Sequence, residues 1–328
     1  MHTPPAKRAV LQGGFTLIEM MISITIGLGI LAGLVGVLAS TSSNSRSNDR
    51  TSELLSNGRY ALNSMKMELR EAGFRGYTLA DPDAIALGAL GAPGNECLQA
   101  GAAAGAFVAN IRQGVWGSDD AAATPNPFAA NCIPAARFAA GNDILVVRRV
   151  APFPTAALVA NTLYFQSTYE RGQVFRGNAA PTFGGTPLAS FAMQEFVYYI
   201  SPVTNVLAPE SPAIPALRRL ALNSAGDLVD ELVASGIEHL QVQYGYFETD
   251  GTIRYFRAGQ GSLAGDSFTA ASSGWDNVNS VRIWLVARNS AVEPGYVNNN
   301  TYTMGGQNFV KADNFRRQLF STVVQLRN

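Results

Sequence analysis

Apolar positions are concentrated in one block near the start of the chain. Residues 15–39 read FTLIEMMISITIGLGILAGLVGVLA, 25 residues in which Glu19 is the only ionisable side chain. At 1.5 Å per residue a helix over this run reaches about 37 Å, more than the roughly 30 Å hydrocarbon core of a bilayer. The run is therefore predicted to be able to span a membrane, and it is too long for the apolar region of a secretory signal peptide, about 7 to 15 residues. Lys7 and Arg8 precede it while Arg46, Arg50 and Arg59 follow it, so the count of cations does not orient the span.

After the span the apolar residues thin out to a helical stripe. Leu54, Ala61 with Leu62, Met65, Leu69 and Ala72 recur at helical spacing, with Arg59, Lys66, Glu68, Arg70 and Glu71 over the remaining surface. The polar stretch 40–52 has weak helix propensity and no apolar face, which predicts a hinge between two helical halves. Gly73 fits a C-terminal stop. Residues 78–134 shift to Ala, Gly and Pro and predict an insertion of loops with short strands. Alternating patterns follow at 143–150, 195–200, 237–247, 252–256, 280–287 and 319–326, reading as half-buried antiparallel strands. In the third of these Leu240, Val242, Tyr244 and Tyr246 fall on one face and His239, Gln241 and Gln243 on the other, with Asp250-Gly251 as the turn into the next strand. No fixed-period repeat is present, so a solenoid is not expected. The predicted class is α+β, a long N-terminal helix packed on an antiparallel sheet head.

Composition narrows the chemistry. The chain has 328 residues, with 24 Lys plus Arg against 24 Asp plus Glu, so no global basic field favours nucleic acid. His2 and His239 are the only histidines, too few for a multi-histidine zinc site and a poor basis for a histidine triad. P-loop, nucleophile-elbow, C-x-x-C and H-E-x-x-H patterns are missing, and Gly259, Gly261 and Gly265 are too widely spaced for a dinucleotide fingerprint. Asp119-Asp120 and the group 248–250 lack an EF-hand arrangement and read as solvated acidic turns. His239 reads as an ordinary sheet residue. No catalytic residue, cofactor or metal site is predicted, and the chain reads as a non-enzyme.

Glu19 is the informative exception in the apolar block, because a carboxylate in a lipid-facing helix costs about 2.5 to 3.5 kcal/mol at mid-bilayer, less near the helix end. Thr16 and Glu19 have the spacing of a capping box, which is one way to satisfy it. Gly29 and Gly33 form a GxxxG pair on which a neighbouring helix could approach closely. The full context, a short basic leader ending in Gly13-Gly14 before FTLIEMM, resembles the type IV prepilin class. That resemblance implies cleavage after Gly14 by prepilin peptidase on the cytoplasmic side, an N-methylated Phe15, and Glu19 paired with the terminal amine of a neighbouring subunit. It also implies the topology that the charge count leaves open, with the leader inside and the head in the periplasm. Loss of Lys7 and Arg8 would leave 22 basic and 24 acidic side chains, a net charge of −2.

NGRYALNSMKMELREAGFRGY at 57–77, VRIWLVARN near Val281 and FRRQLFSTVVQLRN at the end resemble the PilW family of minor pilins. The implied organisation is a leader at 1–14, a transmembrane half-helix at 15–39, an amphipathic half-helix at 40–73 and a β-rich head at 74–328. The implied function is that of a minor pilin in the inner membrane, joining the pilus at its base or tip and helping to prime or cap assembly. Its implied partners are other minor pilins, the major pilin, prepilin peptidase, the inner-membrane assembly platform and the lipid bilayer. A type II secretion minor pseudopilin and a membrane-anchored periplasmic enzyme or ligand-binding domain are the alternatives. On this topology Cys97 and Cys132 are both exported, where two thiols usually pair. Closing their loop would stabilise the head by about 3.5 to 4 kcal/mol on the entropic model, and two separate buried thiols is the competing reading.

Overall fold

The computed structural model of the protein describes residues 14–81, 84–88, 90, 106–119, 128, 132–263 and 274–327. It divides into two compact units, Met1–Arg50 and Thr51–Asn328. Helix α1, Leu17–Arg70, supplies residues to both. Within the first unit it contains a window of mean hydropathy 2.3, none of it buried. The polar stretch 40–52 is helical, and the division between the units falls inside it.

The second unit begins with the amphipathic turns of α1. Leu54, Gly58, Ala61, Met65 and Leu69, spaced by three or four residues, form its buried stripe. Gly58 is the close point of the stripe, because a Cβ there would run into the Phe320 ring. The helix ends at Arg70, and Gly73, in the left-handed region at φ 77°, donates its N–H to the Arg148 carbonyl at 2.8 Å. Arg149 pairs with Glu68 at 2.7 Å and with Glu71, and Asn57 Nδ2 donates to Ser235 Oγ at 3.3 Å. The amphipathic half is thereby fixed on the sheets by apolar contact along one stripe and by polar contacts beside it.

Two antiparallel sheets build the head. The first contains β1 (Val115–Ser118), β2 (Ile144–Val150), β3 (Leu163–Ser167), β4 (Gly172–Arg176), β5 (Ala189–Ser201), β6 (Ala216–Leu222) and β7 (Leu228–Ser235). β5 is its hub, pairing with β2, β3 and β6 along 13 residues. The second sheet runs β13-β10-β8-β9, from β8 (Ile237–Phe247), β9 (Ile253–Phe256), β10 (Val278–Arg288) and β13 (Arg317–Gln325). A separate hairpin, β11 (Thr301–Met304) with β12 (Gln307–Val310), is inserted between β10 and β13. In the region 78–134 the described residues include a one-turn helix α2, Ala106–Ala109, and strand β1.

β8 spans the predicted segment, and the turn at Asp250-Gly251 closes with Glu248 N–H on the Thr252 carbonyl at 2.8 Å and Gly251 at φ 83°. Four strands of the first sheet, β1, β3, β6 and β7, have a less regular signal, and the structure gives the cause. β1 and β3 are buried at every position, so they cannot alternate. β6 and β7 are offset by a bulge at Leu217/Arg218, which shifts one face to the other.

The half-buried reading of β8 is corrected at its polar face. His239 and Gln241 are 8% and 1% exposed, because the β11–β12 hairpin covers that side. The His239 ring stacks on Phe309 with centroids 4.6 Å apart, and Gln243 Nε2 donates to the Gly305 carbonyl at 3.0 Å. β8 pairs with β9 only from Tyr244 onward, which leaves backbone N–H groups upstream without a strand partner. Asn142 Oδ1 accepts the Leu240 N–H and Asp143 Oδ2 the Val242 N–H, each at 2.7 Å, so the loop before β2 closes that edge with side chains.

The contact at Gly58 tests the docking of the helix. Gly58→Leu in the full chain should lower the free energy of unfolding of the head by about 1–3 kcal/mol, the usual penalty of overpacking, despite the better helix propensity of leucine. Urea denaturation followed by circular dichroism measures it, and an unchanged or raised midpoint would mean that this stripe is not packed on β13.

Candidate functional site: the amino-terminal helix

Gly14 and Phe15 precede the helix and are exposed, with Phe15 at 85% exposure just ahead of α1. Thr16 and Glu19 form a reciprocal cap. Glu19 Oε2 accepts the Thr16 N–H and hydroxyl at 2.9 Å each, and Thr16 Oγ1 accepts the Glu19 N–H at 3.3 Å. The carboxylate therefore closes the first turn of its own helix. Thr25 Oγ1 donates to the Met21 and Ile22 carbonyls at 3.0 and 2.9 Å, so this hydroxyl is satisfied within its own helix.

The helix surface around this junction is apolar and uncovered within its unit. Leu17, Ile18, Met20, Ile24, Leu28 and Leu31 are all more than half exposed. Gly29, Gly33 and Gly36 sit at i, i+4 and i+7, and no atom outside the local helix lies within 4 Å of the Cβ position at any of them. Such a surface suits lipid or other helices, and its glycines admit close approach.

The cysteines and acidic turns fall elsewhere. Cys132 is buried and is not a free thiol, and Cys97 lies outside the described residues. Asp119 is buried and pairs with Arg257 at 3.3 Å, whereas Asp120 lies outside the described residues. Asp250 accepts the Thr252 N–H at 2.9 Å and hydroxyl at 2.6 Å, which makes it part of a turn. Among the described residues no group of three or more His, Cys, Asp and Glu side chains is placed to hold a metal.

Residues 197–328 match the model of the PilW family, described as type IV pilus-assembly protein W. The carboxy-terminal part of this chain is PilW-like. The match runs from the end of β5 through β13, and so contains the whole four-stranded sheet and its inserted hairpin. It includes the VRIWLVARN and FRRQLFSTVVQLRN segments and stops short of 57–77. A solved structure of a type IV-like pilin from Thermus thermophilus is similar over 59% of this chain and 79% of that one, at 13% identity and a TM-score of 0.27. No curated protein matches the sequence.

Several titratable groups of the second unit are buried and shifted from their ordinary values. Arg148 and Glu195 are fully buried on neighbouring strands with Nε 3.3 Å from Oε1. Burial pulls the Arg148 guanidinium down and Glu195 pushes it back up. Burial, followed by the charge of Glu68, raises the Tyr198 phenol to about 12. Burial and then Asp230 raise Tyr199, whose hydroxyl donates to Asp230 Oδ1 at 2.9 Å. Tyr244 is likewise pushed far up, by burial and then by Asp143 and Asp119. Neutral phenols in the folded state make stability full below about pH 10, the ordinary phenol value, and lose it as pH rises toward 12. Alkaline titration should therefore show tyrosinate absorbance from these three residues appearing together with loss of near-ultraviolet dichroism. Their ionisation near pH 10 with the fold intact would contradict the assignment.

Proposed function

We propose that this chain is a minor pilin of a type IV pilus. The observation that carries the reading is the joining, in one chain, of a PilW-like head to an uncovered apolar helix that begins at GGFTLIEMM. In this reading prepilin peptidase cuts between Gly14 and Phe15 on the cytoplasmic side, and Phe15 becomes an N-methylated terminus. The span 15–39 holds the subunit in the inner membrane with its head in the periplasm. The subunit then enters the helix bundle at the base or tip of the fibre, where it helps to prime or cap assembly with other minor pilins and the major pilin. Its role is structural and calls for no catalytic residue or cofactor.

Glu19 is the register device of this proposal. Its carboxylate now serves the Thr16 N–H and hydroxyl, and cleavage would free an ammonium on Phe15, the adjacent residue. In a helix bundle, carboxylate and ammonium from neighbouring subunits neutralise each other only at one axial offset. The cap geometry favours a rival in which Glu19 does nothing but start its own helix.

One experiment separates the two. Peptide sequencing of the membrane-extracted protein should find N-methyl-Phe15, and Glu19→Leu should still insert and be cleaved. The variant should lose crosslinks to other processed pilins, since removing one partner of a desolvated pair costs about 3–5 kcal/mol. Wild-type crosslinking yield in Glu19→Leu would reduce Glu19 to a cap, and an intact leader in cells with active prepilin peptidase would remove the pilin reading itself.

The head of such a subunit folds in an oxidising compartment, and we place a disulfide between Cys97 and Cys132. Non-reducing peptide mapping should recover both cysteines in one linked fragment. Reduction should lower stability by about 3.5 to 4 kcal/mol on the entropic model. Free alkylation of both residues in denaturant without reductant would rule the bridge out.

A further inference from the structure

A cavity of about 420 Å³ opens in the head between the β11–β12 hairpin, the loop 139–142 and the neighbouring ends of β8 and β10. Its size falls at the lower end of small-molecule sites and suits a single ring with substituents. The walls are held in place. Asn142 spends both ends of its amide, Nδ2 on the Ala139 carbonyl at 2.8 Å and Oδ1 on the Leu240 N–H. Phe309 lies nearly parallel to His239, 17° between their planes. Pro202 and Pro215 give the opposite side apolar C–H surface.

The charges around this space do not cancel. Glu238 is clamped by Arg317, Nε to Oε2 at 2.5 Å and Nη2 to Oε1 at 3.2 Å, with Arg288 Nη1 at 3.6 Å. Arg317 also pairs with Asp313 at 2.5 Å, and the Arg288 guanidinium rests on the Phe315 ring at 4.0 Å. Two arginines thus match two carboxylates. Lys311, exposed on the cavity wall, has no carboxylate partner among the described residues and is left as surplus positive charge. Beside it on the wall is Gln307, on the same face of β12 as Phe309, whereas the neighbouring Asn308 accepts the Thr303 hydroxyl at 2.9 Å on the exposed face.

We infer that this cavity binds a carboxylated sugar unit. A pyranose ring presents C–H faces that fit Phe309 and the prolines, hydroxyl edges that fit the Gln307 amide, and a carboxylate that fits Lys311. A purely apolar ligand would leave the amide and the ammonium unpaired, and a cationic one would meet the surplus charge. The inference stands apart from the pilin reading, because it rests on the head alone.

The test uses the full chain in detergent micelles, titrated with methyl glucuronide, methyl glucoside and N-acetyl-dialanine, and read by saturation-transfer NMR. The glucuronide should bind saturably. The neutral glucoside and the Lys311→Ala variant should each weaken binding by about tenfold or more, the worth of one charge-assisted contact. Lys311 is exposed, so the variant should keep the wild-type dichroism, and Gln307→Ala should weaken both sugars together. Absence of saturable glucuronide binding, or binding unchanged in Lys311→Ala, overturns the inference. Binding of N-acetyl-dialanine as tightly as the glucuronide also overturns it, because the cavity would then be reading a peptide carboxylate.

Discussion

The buried stripe of α1 is the contact on which the head depends. Five positions, Leu54, Gly58, Ala61, Met65 and Leu69, face inward on successive turns. Two of them have almost no side chain, so backbone and sheet come close and the flanking large residues fill the space on either side. The contacts beside the stripe reach strands far apart in sequence, β2 through Arg149 and the Gly73 N–H, β7 through Ser235 and β13 through Phe320. A single helical surface therefore sets the places of the first sheet, the second sheet and the last strand. Amphipathic helices of this kind gain most of their stability from such packing and little from propensity.

The insertion docks by a different device. Phe107, from α2, lies under the Arg148 guanidinium at 4.2 Å and joins an edge-on aromatic group with Trp116 and Phe128. Arg148 Nη1 donates to the Gln113 carbonyl at 3.3 Å, while its backbone N–H donates to Gly114 at 2.8 Å. A buried ion pair is weak evidence for stability, since desolvation offsets much of its attraction. Its consequence here is geometric. The face of the first sheet that carries Arg148 and Glu195 accepts the segment 107–114 where the aromatic ring covers the cation and the carbonyl meets it, and a slipped arrangement would strand two buried charges.

Much of this was legible in the sequence wherever one physical demand fixed the pattern. The apolar block, the 3.6-residue stripe after it, the capping box at Thr16 and Glu19, and the alternation and turn around β8 each follow from a single requirement. The signal failed where two requirements overlapped. β1 and β3 are covered on both faces, so alternation is lost, and the bulge between β6 and β7 breaks the phase. Gln241 reads as solvent-facing from its polarity, yet it is buried because a hairpin more than fifty residues downstream folds over it. Arg148 and Glu195 gave no local sign of their pairing, since charge on alternating strands normally marks the wet side. The cavity beside Lys311 was equally invisible, as its walls come from six segments separated in sequence.

The two units also divide the work in a way that bears on function. Most of the large apolar side chains of the first unit are exposed, whereas the head buries an apolar core together with paired charges. An isolated chain with that helix in water would expose a surface far larger than soluble proteins tolerate, so the first unit demands a lipid or helical environment. The head makes no such demand. Arg148, Tyr198, Tyr199 and Tyr244, whose ionisation the fold shifts, are buried within it. In the proposed bundle, what interrupts the apolar surface of the helix is the carboxylate of Glu19 and the glycines below it. A bundle of such helices has little lateral selectivity from hydrophobicity alone, because lipid is as apolar as leucine. Under the proposed assembly, one charge near the end of the span would fix the axial position, and the glycines, with no atom outside the local helix within 4 Å of their Cβ positions, would set how closely a neighbour can approach.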